Sequence, residues 1–318
     1  MSRTTKGYVI ALVGITIWST TGVLIGYLVT HYPLPALLLA LWRNVLVCAA
    51  LGPALLLVRR SVLRVSRAHL GFFVGYGLVL AVFNSIWVLS VQANGAAVAT
   101  VLAYSSAGFT AILALWLFQE PLGVPKAAAI ILSLVGSVLV SKAYSGEMWR
   151  LNPLGIATGL LSGLLFAAYT LLGKEAARRQ LNPWASMLYS FAFGAVFIAV
   201  FNLIPFVPGA AGSVAALWPR LPADGWLILI FLSMGPTVLG FGLYNTAMNY
   251  LQAGIANLLA TLEPAMTAAQ AYLFLHERLT LLQIVGSLIT LSAVAIVQLE
   301  KQPAELGDSA KAGAPAEV

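Results

Sequence analysis

Apolar residues run through the chain in ten long blocks, at about 7–30, 35–58, 69–91, 95–118, 124–142, 153–174, 184–207, 226–250, 254–275 and 280–299. Charges, prolines or Gly/Asn clusters bound each block. About 20 apolar residues in a helix cross the hydrocarbon core of a bilayer, so each block is long enough to span. The runs are continuously apolar rather than alternating, which predicts helices and not the strands of an outer-membrane barrel. The expected fold is therefore an all-α membrane protein with ten transmembrane helices. The stretch 300–318 has two prolines, scattered charges and no apolar face to bury, and reads as a disordered tail.

The pattern also repeats. Setting Gly7 beside Gly155 without a gap brings Trp18 against Phe166 and Pro35 against Pro183. Further on, Val98–Ala103 falls beside Ile255–Ala260, and in the same register Glu120-Pro121-Leu122 falls beside Glu277-Arg278-Leu279. The two registers differ by nine residues, so the third and eighth spans need insertions or deletions to align. Five spans per half is an odd number, so the halves must enter the membrane in opposite senses. Residues 1–148 and 149–299 are thus expected to form two inverted five-helix repeats, a plan in which transporters place their site near the midplane between the halves.

Composition agrees with the spans. The chain has 60% hydrophobic and 8% charged residues, against roughly 25% charged in a soluble domain. With the N-terminus cytoplasmic, twelve Lys and Arg lie inside, among them Arg59, Arg60, Arg64, Arg67, Arg178 and Arg179. Only Lys142, Arg150, Arg220 and Arg278 lie outside. This asymmetry follows the positive-inside rule and accounts for the net charge of +7 without a nucleic-acid partner. Both termini are expected on the cytoplasmic side of a bacterial-type cytoplasmic membrane. The first apolar run exceeds a signal-peptide core and reads as a retained first span. Cys48, the only cysteine, excludes an intrachain disulfide.

Candidate chemistry centres on Glu263, mid-way along the ninth block. A carboxylate there costs roughly 2.5–3.5 kcal/mol to insert and points to function by default. Pro264 beside it lacks an N–H and disturbs the helix one turn back, at Ala260. Thr267 and Gln270 extend one polar stripe with Glu263 that should face a cavity. In the repeat register, Ser106 and Thr110 of the fourth span stand where Glu263 and Thr267 stand in the ninth, with Ala107 in place of Pro264.

Arg43 lies too deep in the second span to snorkel easily, and Glu263 is its expected partner, as a structural ion pair or as part of a ligand site. Asn44, Asn84, Asn245 and Asn249 are further polar groups within spans. Trp18, Trp42, Trp87, Tyr104, Phe166, Tyr169, Tyr189, Phe241 and Tyr244 lie at similar depths, whereas Trp149, Trp218 and Trp226 read as interfacial anchors. The repeat-related rings Trp18 and Phe166 could flank a cation or an aromatic substrate. Glu120 and Glu277, at span ends, are expected to cap helices or pair between loops. The three histidines are scattered, and no HExxH, CxxC or P-loop occurs, so no metal, ATP or other cofactor is expected.

The run Leu262-Glu263-Pro264-Ala265, then Leu275-His276-Glu277-Arg278-Leu279-Thr280, Gln283 and Gly286, resembles the second-half signature of the EamA family in the drug/metabolite transporter superfamily. The first half matches more loosely, through Arg43 and Gln119-Glu120-Pro121-Leu122. The resemblance covers nearly all of 7–299. It implies ten helices in two inverted repeats and a carrier of small molecules, commonly an exporter of amino acids, their analogues or other metabolites. Members often have proline where this chain has Ala107, so a weaker break is expected in the fourth span.

The favoured reading is a proton-linked exporter of a small polar or amphipathic metabolite, with Glu263, Arg43, Thr267, Gln270, Ser106, Thr110, Trp18, Phe166, Tyr169, Asn84, Trp87, Tyr244 and Asn245 near its path. In an amino-acid-like substrate, Arg43 could hold the carboxylate and Glu263 the ammonium. A facilitator or importer of a cationic amine, and a non-transporting receptor or scaffold, are the alternatives. Substrate, direction and oligomeric state are not legible.

Overall fold

The structure is a computed structural model that describes residues 3–32, 34–63, 65–94, 96–140, 144, 153–204, 206–207, 209–275 and 280–299. The tail from 300 and Glu277 lie outside the described residues. The described elements are all helical, and they follow the ten apolar blocks closely.

The first block is α1 (Arg3–Trp18) and α2 (Thr21–His31), followed by α3 (Ala36–Arg59) and α4 (Arg67–Asn94). The fourth span is α5 (Ala96–Ala103) plus α6 (Ser106–Phe118), and the fifth is α7 (Val124–Val140). In the second half come α8 (Pro153–Arg178) and α9 (Pro183–Leu203). The eighth span is α10 (Ala223–Leu232), a π-helical segment (Ser233–Phe241) and α11 (Gly242–Ala247). The ninth is α12 (Ala253–Ala260) plus α13 (Glu263–Leu275), and α14 (Leu281–Leu299) closes the order.

Prolines mark the helix starts: Pro153 and Pro183 occupy first-turn positions, where a missing N–H costs nothing. Asn182 caps α9 by accepting from the N–H groups of Trp184 at 3.0 Å and Ala185 at 3.3 Å.

Packing obeys the inverted repeat. The third span, α4, packs on the sixth and seventh, α8 and α9, while its counterpart, the eighth, packs on the first and second through α1 and α3. The fourth packs on the sixth, and the ninth on the first. Spans that correspond to each other pair directly: α6 with α12, and α7 with α14. Each half therefore buries its apolar faces mainly against the other.

Four spans are interrupted, and the breaks have local causes. In the first, Thr16, Ser19 and Thr20 turn their hydroxyls onto the carbonyls of Leu12, Thr16 and Ile17 at 2.7–2.9 Å, a back-bonding habit that bends helices. In the eighth, Pro236 sits inside the π-helical segment, and Thr237 Oγ1 donates five residues back to the Leu232 carbonyl at 2.9 Å. In the ninth, α12 ends at Ala260 as Pro264 requires, leaving Thr261 and Leu262 between the two half-helices.

The fourth span corrects an expectation. Despite Ala107 it breaks as fully as the ninth, at Tyr104 and Ser105, the positions the repeat register sets against Thr261 and Leu262. The two breaks share their hydrogen bonds. The N–H groups of Tyr104 and Ser105 donate three residues back, at 3.2 Å each, as do those of Thr261 and Leu262 at 3.1 and 3.0 Å. Ser105 Oγ donates to the Leu102 carbonyl and Thr261 Oγ1 to that of Leu258, each at 2.6 Å. A hydroxyl bonded to the preceding turn thus accompanies the break in both halves, with or without proline.

Candidate functional site

The broken fourth and ninth spans cross at their interruptions, and Glu263 stands at the crossing. The first residue of α13, it is half-buried, and its Oε2 accepts a hydrogen bond from the Tyr104 hydroxyl at 2.5 Å. The donor comes from the break in the other half. Sequence reasoning grouped Tyr104 with the aromatics at this depth and missed this role. The repeat register placed Tyr104 two residues from the counterpart of Glu263, and that was the available signal.

The expected ion pair between Arg43 and Glu263 is not formed. Among the described residues no salt bridge involves either side chain. Arg43 Nη2 instead donates to Asn84 Oδ1 at 2.9 Å, in an environment that leaves Arg43 7% exposed. The reason lies in the helices. Arg43 is on α3, which packs on α4, α9 and the π-helical segment, whereas α13 packs on α1, α7 and α14. Opposite charges at one depth were matched by type, but helix placement sets them in different groups.

The polar stripe is also corrected in part. Thr267 Oγ1 donates to the Ser19 carbonyl at 2.9 Å, and Gln270 Nε2 donates to the Thr16 carbonyl at 2.8 Å and to Ser19 Oγ at 2.9 Å. These side chains bind the backbone where the first span breaks, as non-helical segments in a bilayer require. Among the described hydrogen bonds, only that of Glu263 joins the stripe to the fourth span.

Behind the acid, a hydrogen-bonded chain crosses four spans. Ser106 Oγ donates to Asn257 Oδ1 at 3.0 Å, Asn257 Nδ2 donates to Thr170 Oγ1 at 3.1 Å, and Thr170 Oγ1 lies 3.0 Å from the Tyr244 hydroxyl, with either able to donate. Asn245 Nδ2 donates to the Tyr169 hydroxyl at 3.1 Å. Thr110, fully buried on α6, has no hydrogen-bond partner among the described residues. Trp87 is half-buried on α4.

Trp18 and Phe166 meet as the repeat suggested, in direct ring contact. Their rings touch edge to face with centroids 5.7 Å apart, and Trp18 lies 4.4 Å from Phe241 and 5.6 Å from Tyr244. Phe166 stacks on Phe83 at 5.3 Å. These rings fill the crossing of the disrupted first and eighth spans. Trp42 belongs to another group, packed on Trp218 and Trp226 with its indole N–H on the Leu217 carbonyl at 2.7 Å. A cavity of about 430 Å³ opens near that group, on the face opposite the N-terminus, lined by Tyr32, Pro35, Leu38, Trp218 and Arg220 among others.

The N-terminal face is held by charges. Glu120 Oε1 accepts from the Ala253 N–H at 2.9 Å and Oε2 from the Gly254 N–H at 3.3 Å, which caps α12 as anticipated for this residue. Lys126 Nζ is 3.7 Å from the same carboxylate. Lys174 Nζ donates to the carbonyls of Leu251 at 2.7 Å and Met248 at 3.3 Å. Glu120→Ala is expected to remove a cap and leave Lys126 buried without its carboxylate, lowering stability by about 3 kcal/mol. Thermal unfolding in detergent measures this, and Glu120→Gln, which keeps an acceptor for α12, should lose less.

Ten spanning helices in two inverted halves, with broken helices crossing at a carboxyl group, define a membrane carrier. The chain belongs to the EamA-like transporter family, which it matches over residues 5–142 and 153–299. It is a multi-pass membrane transporter of small molecules and not an enzyme. It is 30% identical over 70% of its length to an uncharacterized transporter of Archaeoglobus fulgidus, covering 76% of that protein. It is 26% identical to a probable amino-acid metabolite efflux pump of Escherichia coli, over 93% of this chain and 95% of the relative. A solved crystal structure at 19% identity superposes with a TM-score of 0.75, covering 93% of this chain and 97% of that one, which shows the fold.

Proposed function

We propose that the chain is a proton-linked exporter of a small polar or amphipathic metabolite, amino-acid-like or an amine, working by alternating access between its halves 1–148 and 149–299. The carrying observation is the link from Tyr104 to Glu263. It sets an ionisable group mid-span where the two repeat-related breaks meet, with no cation within 4.0 Å among the described residues. A carboxyl group free of a fixed counter-ion can take up and release a proton as access to it changes. The efflux-pump name of the E. coli relative supports the direction and the substrate class. The excess of Lys and Arg at the span ends on the N-terminal side supports cytoplasmic termini in a bacterial-type cytoplasmic membrane.

Proteoliposomes preloaded with labelled amino acids or amines test the reading. Acidifying the outer bath is expected to accelerate efflux, because an incoming proton would exchange for the outgoing solute. Flux that follows membrane potential and ignores the pH gradient would overturn proton linkage and favour a facilitator of cationic amines.

A further inference from the structure

Arg43 is a buried cation with no carboxylate partner among the described residues. Four carboxylates lie among the described residues, and each is engaged elsewhere: Glu120 with α12 and Lys126, Glu175 with Arg178 and Arg179, Asp224 with the Tyr32 hydroxyl, and Glu263 with Tyr104. The guanidinium has a neutral amide instead. Arg43 Nη2 donates to Asn84 Oδ1 at 2.9 Å, while Arg43 Nε–H and Asn84 Nδ2 have no acceptor among the described residues. A buried charge is stable when paired and hydrogen-bonded, and a buried donor left without a partner is a standing penalty. An anion with two oxygens would answer both, since a carboxylate meets a guanidinium in a two-bonded fork.

A cavity opens further along the same helix. Leu38, which lines the 430 Å³ cavity, precedes Arg43 by five residues on α3, about 7.5 Å along the helix axis. Trp42, next to Arg43 in the chain, packs on Trp218 and Trp226, and Trp218 lines the cavity.

We infer that Arg43 and Asn84 form an anion subsite that takes the carboxylate of the exported solute, with the Asn84 amide oxygen occupying the guanidinium until the solute displaces it. This rests on the proposed amino-acid-type export and extends it by making Asn84 a specificity-determining residue. An amide holds the arginine loosely enough to be exchanged. An aspartate at the same position would be a resident anion of the same shape, and would shut carboxylates out while leaving the helices paired.

The test uses the full-length protein, purified in detergent and in proteoliposomes. Thermal stabilisation and counterflow are measured with the free amino acids, with their carboxamides, with the amines that lack the carboxylate, and with the 2-oxo acids that lack the amine. For wild type, free acids are expected to bind about tenfold or more tightly than their carboxamides. In Asn84→Asp this preference should vanish, while binding of the amines is retained and the melting temperature of the empty protein does not fall. Loss of acids and amines alike in Asn84→Asp would overturn the subsite, because it marks a structural role for Asn84 rather than a carboxylate-specific one. Unchanged preference for acids in Asn84→Asp overturns the subsite, as does a wild type stabilised by no carboxylate in the panel. Binding of 2-oxo acids but not amino acids, lost in Asn84→Asp, supports the subsite and overturns the amino-acid reading alone.

Discussion

Glutamine at position 263 is expected to bring pH-driven efflux down to the rate seen without a gradient, while leaving the protein folded. The side chain keeps its shape, and its amide oxygen can still accept from the Tyr104 hydroxyl, which now spans 2.5 Å to the carboxylate. What disappears is the change of charge. The helix break that presents residue 263 does not depend on it, because Thr261 and Leu262 hold their own bonds to the preceding turn. Tyr104→Phe makes a useful companion: it removes a hydrogen bond between the halves but keeps the carboxyl group, so gradient-driven efflux should persist. Efflux assays in proteoliposomes at several outer pH values separate the two. Undiminished acceleration by acid in Glu263→Gln would show that protons, if coupled, bind elsewhere.

Leucine at position 136 is expected to have the largest effect on the fold. The fifth and tenth spans, α7 and α14, meet backbone to backbone. A Cβ on Gly136 would come within 2.7 Å of the Gly286 carbonyl oxygen and 3.0 Å of the Thr290 nitrogen, and a Cβ on Gly286 within 2.8 Å of the Gly136 carbonyl oxygen. The Thr290 hydroxyl and Leu139 Cβ lie nearer still, and these backbone atoms cannot swing away as a hydroxyl could. In lipid the apolar driving force between helices is weak, and association relies on such close packing of small residues. Overpacking a tight contact costs about 1–3 kcal/mol even for a methylene or two, and the leucine side chain is larger. Gly136→Leu should therefore lose the sharp melting transition and the single peak on size exclusion, with Gly136→Ala intermediate. A leucine variant that melts like wild type would mean that the two spans are not held at this distance.

Much of this architecture was legible in the residues because the bilayer imposes length and polarity on every span. The ten blocks became the ten spans, and the Pro264 break fell where a missing N–H requires it. The repeat register set Ser106 against Glu263, and the structure breaks the two spans one residue before each. The fourth-span break was underestimated because proline was taken as its only cause, whereas the Ser105 hydroxyl bonded to the Leu102 carbonyl accompanies it. Partners were harder to read than positions. Arg43 and Glu263 share a depth, but their helices' neighbours, which decide whether they touch, are not encoded in spacing. Thr267 and Gln270 looked like cavity residues because they share a face with an acid, and that face meets the broken first span instead.

The crossed packing of the halves also governs how the chain can be made. Synthesis delivers α5 and α6 to the bilayer long before α12 and α13, so the Tyr104 hydroxyl and Ser106 wait without Glu263 and Asn257 until the ninth span emerges. The α7 surface at Gly136 waits longer still, for α14. Five inserted spans thus leave an unfinished surface, which the ninth and tenth spans close.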